Sequence, residues 1–110
     1  MHELSIVTGV VEICEQHAGA RRVLAVNLVI GALSGVVPEA LEFCFEAATK
    51  DTLLEGAKLG IERVAATGFC AACGKVSVIE GFIDPCPRCG GFPLEMRSGA
   101  EMRVKDLEVE

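Results

Sequence analysis

The stretch CAACGKVSVIEGFIDPCPRCG, residues 70–90, holds four of the chain's six cysteines in two matched pairs, Cys70/Cys73 and Cys86/Cys89. Their spacing is C-x2-C-x12-C-x2-C. Two cysteines three apart on a tight turn can aim both sulfurs at one ion. The glycine behind each pair, Gly74 or Gly90, permits the backbone conformation that such a knuckle requires. Two facing knuckles close a tetrahedral shell of four thiolates, the arrangement of structural zinc with Zn–S of about 2.3 Å. Two disulfides or free thiols are the bland alternative, which a reducing compartment and this spacing disfavour. Four thiolates also accept iron, but nothing else in the chain resembles a redox protein. A closed shell leaves no position for water or substrate, so zinc here is expected to hold structure.

Outward from this stretch, composition changes at Thr67 and again near Arg97, and between them the chain is rich in Cys, Gly and Pro. Its apolar residues are few, Phe69, Val76, Val78, Phe82 and Phe92 among them, so metal binding has to supply its folding energy. One short segment, KVSVIE, has strand character. Upstream, Leu4, Val7, Val11 and Cys14 recur at helical spacing from Glu3 to His17, widened by Ile6, Val10 and Ile13, with Gly19 as a stop. RRVLAVNLVIG reads as a strand covered on both faces. ALSGVVP turns the chain, and Pro38 suits the first position of a second helix, to about Thr49, with Leu41, Cys44, Phe45 and Ala48 on one stripe. AKLGIERV alternates as a strand with Ala57, Leu59 and Ile61 inward. After Gly99, EMRVKDLEVE returns to strand character and is too short to fold alone, so it should rejoin the first sheet. The expected architecture is α/β (α+β): two helices on a small three-stranded mixed sheet, with a zinc-ribbon-like insert. The domains are 1–66 plus 98–110, discontinuous, and 67–97.

The chain has 110 residues, half of them hydrophobic, with no Trp or Tyr, so aliphatic residues fill the core. A net charge of −6 argues against binding a phosphate backbone or an anionic membrane surface. The longest uncharged run, Val23 to Pro38, is 16 residues, short of the roughly 20 a spanning helix needs. The start of the chain has no basic n-region. A soluble, cytoplasmic protein is expected, with neither nucleic acid nor membrane as partner.

A histidine at position 2 is ordinarily a solvated terminal residue. Here its surroundings permit more. The free α-amine of Met1, the backbone nitrogen of His2 and its imidazole Nδ1 can close adjoining chelate rings around one ion, and the backbone nitrogen of Glu3 can add a fourth donor. Deprotonated amide nitrogens favour square-planar Ni(II) or Cu(II). The first N–H groups of a helix have no intrahelical partner and can be given up. The Glu3 carboxylate lies beside such a site, and reads at least as well as a helix N-terminal charge. His17, fifteen residues on at about 1.5 Å rise, lies roughly 22 Å away on a continuous helix and reads as a polar residue near a helix end. Cys14 and Cys44 lie on apolar stripes and read as small core residues.

Taken together, the chain resembles the HypA/HybF family of hydrogenase nickel-incorporation proteins along nearly its full length. The matching stretches are MHELSI, IGALSGVVPEALEFCFE, LLEGAKLGIE, the two cysteine pairs with CPRCGG, and VKDLEVE. The resemblance implies a metallochaperone, not an enzyme, that binds Ni(II) as cargo at Met1, His2 and Glu3, with structural Zn(II) on Cys70, Cys73, Cys86 and Cys89. It implies a HypB-like GTPase and the hydrogenase large-subunit precursor as partners, and in some members a role with urease accessory proteins. GAKLG lacks the P-loop spacing, so any nucleotide-driven step belongs to a partner. The competing reading is a zinc-ribbon interaction module without a nickel role.

Overall fold

The computed structural model describes residues 3–110. Helix α1 (Glu3–Ala18) buries Val7, Val10, Val11, Cys14 and Ala18, which fall on one stripe at helical spacing. The stripe starts one residue earlier than the apolar pattern indicates. Glu3 is buried, whereas Leu4 is 56% exposed and Ile13 also lies outside the core. Residues 3, 7, 11, 14 and 18 form the row that faces inward, and Leu4 falls beside it. Gly19, at φ +66°, ends the helix, its N–H donating to the Glu15 carbonyl at 3.1 Å.

Strand β1 (Val23–Gly31) leads through a turn to α2 (Pro38–Ala48) and strand β2 (Lys58–Val64). Pro38 takes the first position of α2, Leu41 and Phe45 are buried, and Cys44 and Ala48 lie at the margin of the same stripe. The two helices pack on each other. Past the end of β1, the Ala32 N–H donates to the Val64 carbonyl at 2.9 Å, so the strands' ends coincide and β2 runs parallel to β1 with α2 as the crossover.

The last strand, β6 (Met102–Val109), pairs with the other edge of β1. The Glu110 N–H donates to the Arg22 carbonyl and the Gly31 N–H to the Glu101 carbonyl, which fixes it as antiparallel. The sheet is therefore mixed, in order β2-β1-β6. As the central strand, β1 buries Val23, Val26, Leu28, Val29 and Ile30. Leu59 and Ile61 of β2, expected inward along with Ala57, are only half-buried, because β2 is an edge strand.

A second sheet, β4-β3-β5, consists of β3 (Thr67–Cys70), β4 (Lys75–Val78) and β5 (Glu95–Ser98), all antiparallel to their neighbours. Only β4 has a strand signature in the sequence. β3 is TGFC and β5 is EMRS, four residues each with no β-branched alternation, and pairing with a neighbour rather than propensity makes them strands.

The chain divides into two compact units. The first comprises Met1–Val29, Val36–Glu62 and Arg103–Glu110; the second comprises Ile30–Gly35 and Arg63–Met102. Within the second, backbone segments approach so closely that glycine is obligatory: a Cβ on Gly31 would strike the Gly99 carbonyl group, and one on Gly99, at φ +120°, would lie 2.6 Å from Ala66 Cα. Among the described residues, no helix is long and apolar enough to cross a membrane.

Candidate metal centre

The two knuckles are built alike. In each, the glycine N–H returns to the carbonyl of the first cysteine, Gly74 to Cys70 at 2.7 Å and Gly90 to Cys86 at 2.8 Å. Both glycines have positive φ, +73° and +77°, as the spacing anticipates. β3 delivers Cys70 at its last residue, and β4 starts two residues after Cys73. The second knuckle is tied to β4 by the Arg88 guanidinium, whose Nε donates to Ser77 Oγ at 3.0 Å.

The four sulfurs lie within 4.8 Å of one another. Cys70 and Cys89 Sγ are 3.6 Å apart, and Cys73 and Cys86 Sγ 3.8 Å. Both separations are far beyond the roughly 2.05 Å of a disulfide. They match the edge of a tetrahedron of four sulfurs around one ion at about 2.3 Å, roughly 3.8 Å. The donor set therefore fits zinc.

Its electrostatics point the same way. Backbone N–H groups of Cys89 and Arg88 aim at the Cys86 sulfur and lower its thiol to about 6. The Gly91 N–H pulls on Cys89 as well, but the neighbouring Cys70 sulfur, desolvation, and the sulfurs of Cys86 and Cys73 together push that thiol up to about 12. One cysteine is ready to ionise and its neighbour resists. Four thiolates can coexist at this spacing only around a cation. A glycine that the spacing does not reveal completes the shell: a Cβ on Gly91 would lie 3.1 Å from Cys70 Sγ and 3.3 Å from Cys89 Sγ.

The other candidate donors are elsewhere. Met1 and His2 lie outside the described residues. The Glu3 side chain is buried, and its Oε2 accepts the Val37 N–H at 3.2 Å, at the start of α2. The sequence carries no local signal for this contact, because the carboxylate and the amide it accepts from are 34 residues apart. His17 is exposed near the end of α1, its Nδ1 2.9 Å from the Ile13 carbonyl. Cys14 is fully buried, which pushes its thiol up, as suits a core residue.

A chain with an aliphatic α/β unit and a ribbon carrying four converging thiolates belongs to the class of small metal-handling proteins. Comparison with known proteins narrows the class. The family described as "Hydrogenase/urease nickel incorporation, metallochaperone, hypA" matches residues 1–109. The hydrogenase maturation factor HypA of Geobacter metallireducens is 64% identical over the whole of both chains, and that of Geotalea uraniireducens 61%. The solution structure of the Ni metallochaperone HypA from Helicobacter pylori superposes with a TM-score of 0.67 at 26% identity, covering 99% of this chain and 97% of that one. A second HypA solution structure gives 0.71 at 27% identity, covering 100% and 97%.

The chain belongs to the HypA family of nickel-incorporation metallochaperones. It is a hydrogenase maturation factor by family, with a four-cysteine centre of the kind that takes zinc.

Proposed function

We propose that this chain carries Ni(II) at its N-terminus and releases it to the [NiFe]-hydrogenase large-subunit precursor, while Zn(II) on Cys70, Cys73, Cys86 and Cys89 holds the second unit together. The observation that carries the reading is the family match along residues 1–109, which takes in the opening MHELSI. The nickel donors are the α-amine of Met1, the backbone nitrogen and Nδ1 of His2, and the backbone nitrogen of Glu3. The amine, the His2 backbone nitrogen and Nδ1 close two adjoining chelate rings around one ion, and deprotonated amide nitrogens favour Ni(II) or Cu(II). The positive end of the α1 dipole, about half a charge, opposes a bare cation. Two lost amide protons more than offset it.

The chain is a carrier and not an enzyme. The thiolate shell is closed and the sequence has no phosphate loop, so a HypB-like GTPase supplies the nucleotide-driven step in the cytoplasm. Where the cell makes urease, the same cargo serves its accessory proteins. Zinc supplies folding energy to the ribbon when bound. Arg88 and Gly91 arrange the sulfurs, and the knuckle N–H groups stabilise them as thiolates.

Nickel calorimetry at matched zinc loading tests this on untagged protein, protein with residues added before Met1, and His2→Ala. Nickel binding is expected only in the untagged protein. An extension turns the amine into a far less basic amide, while the zinc content stays at one equivalent. Binding should weaken with acid as the imidazole, near 6.5, and the amine, near 8, take up protons. Copper(II) should compete strongly, following the divalent affinity order. Equal nickel affinity in all three proteins would refute the N-terminal site and leave the interaction-module reading.

A further inference from the structure

We propose that the Glu3 carboxylate is a positioning residue for nickel rather than a nickel donor: through the Val37 N–H it anchors the metal-binding end of the chain to the first turn of α2. The inference rests on the N-terminal nickel site argued above.

Burial is the first observation. Glu3 is 5% exposed, on the same stripe of α1 as Val7 and Cys14, and a carboxylate is kept in such a place only when it is hydrogen-bonded. Its Oε2 accepts the Val37 N–H at 3.2 Å. Val37 is the N-cap of α2, with extended backbone at φ −93° and ψ +113° and no side-chain capping bond of its own. In a capping box, the glutamate three residues into a helix reaches back to the N-cap N–H. Glu3 makes that same bond from another helix. The position also places its negative charge at the positive end of α2, where a carboxylate is favoured.

This anchor is one residue from His2, and the backbone nitrogen of Glu3 is itself in the proposed chelate. A chelate drawn from three consecutive residues gathers them into one geometry, at the cost of their backbone freedom. With Glu3 already held at both its backbone and its side chain, that cost falls on fewer residues. The Oε2 bond to the Val37 N–H gives the carboxylate a place-holding part, and the donors assigned to nickel are the nitrogens.

The test uses full-length, untagged, zinc-loaded protein and Ni(II), read by calorimetry and by the visible d–d band of the nickel chelate. Glu3→Ala should bind roughly tenfold more weakly, the scale of freeing one residue's backbone, with the band unmoved because the donors are unchanged. Glu3→Gln, whose amide oxygen can still accept the Val37 N–H, should recover most of the loss. Val37→Pro deletes the donor from 34 residues away and should weaken nickel as Glu3→Ala does, while the double variant should be no weaker than either single one. One zinc equivalent per chain serves as the folding control. Should Val37→Pro fail that control, the Ala and Gln variants decide alone. A shifted band, or a Gln variant as weak as Ala, would make the carboxylate a donor and overturn the proposal. So would an Ala variant that binds as tightly as the parent. If the parent takes up no nickel beyond its zinc, the N-terminal site itself fails, a result distinct from any of these.

Discussion

The first unit buries mostly aliphatic side chains, and the second buries cysteine sulfur beside a few apolar residues, Ile30, Ala66 and Ile79. In the first, Val7, Val11 and Cys14 of α1 and Leu41 and Phe45 of α2 are buried, together with Val26 of the central strand. In the second, Val76, Val78, Phe82, Ile83 and Phe92 are all exposed, whereas Cys70 and Cys86 are 2% and 3% exposed. The same residue type takes opposite parts in the two. Cys14, among apolar neighbours, has its thiol pushed up by burial. Cys86, faced by backbone N–H groups, has its thiol lowered to about 6. Cysteine behaves here as a hydrophobe or as a ligand according to the backbone around it.

Cysteine replacement gives the largest expected effect. Cys73→Ser should lose the zinc equivalent and the fixed structure of β3, β4 and β5, since structural zinc in small ribbons supplies on the order of 10 kcal/mol of folding energy. Metal analysis checks this directly, and a full zinc equivalent in the variant would remove Cys73 from the ligand set. Truncation in the aliphatic core comes next. Leu41 is fully buried, so Leu41→Ala should lower stability by about 2–5 kcal/mol in a denaturant titration, with zinc retained. Zinc loss on that substitution would erase the distinction between the units.

Gly91→Ala sharpens the contrast from the metal side. Its methyl would crowd Cys70 and Cys89 Sγ at 3.1 and 3.3 Å, so zinc affinity should fall by about tenfold in a chelator competition while the helices keep their stability. Lys105→Ala, the smallest change, breaks the 2.9 Å pair with Glu62 between two half-exposed side chains, and the unfolding midpoint should not move measurably. The hydrogen bond and charge of Glu62 raise the Lys105 pKa above its ordinary 10.5. Whatever the pair contributes is therefore present at neutral pH and is lost as pH rises through the folded value. A midpoint drop at pH 7 would show a surface pair mattering where the core is expected to dominate.

Much of this was legible in the chain because its signals are local and periodic. Both helices, the central strand and the return of the last strand to the first sheet follow from apolar spacing and from Gly19 and Pro38. The convergence of Cys70, Cys73, Cys86 and Cys89 follows from their spacing. The rest depends on partners distant in sequence. β3 and β5 exist because they pair with a neighbour, and their four-residue sequences carry no sign of it. Gly91 matters because sulfurs from both knuckles crowd it. Glu3 displaces Leu4 from the buried row because an amide N–H 34 residues away donates to its carboxylate, and apolar periodicity has no term for a buried carboxylate.

Amide hydrogen exchange on the zinc-stripped chain tests the two-core account most directly. Protection should vanish from β3, β4 and β5, whose strands depend on the metal, and persist in α1 around Val7 to Cys14, in α2 around Leu41 and in β1 around Val26. Loss of protection throughout the chain at the same rate would mean that zinc holds the aliphatic unit too, and the separation of the two cores would be wrong.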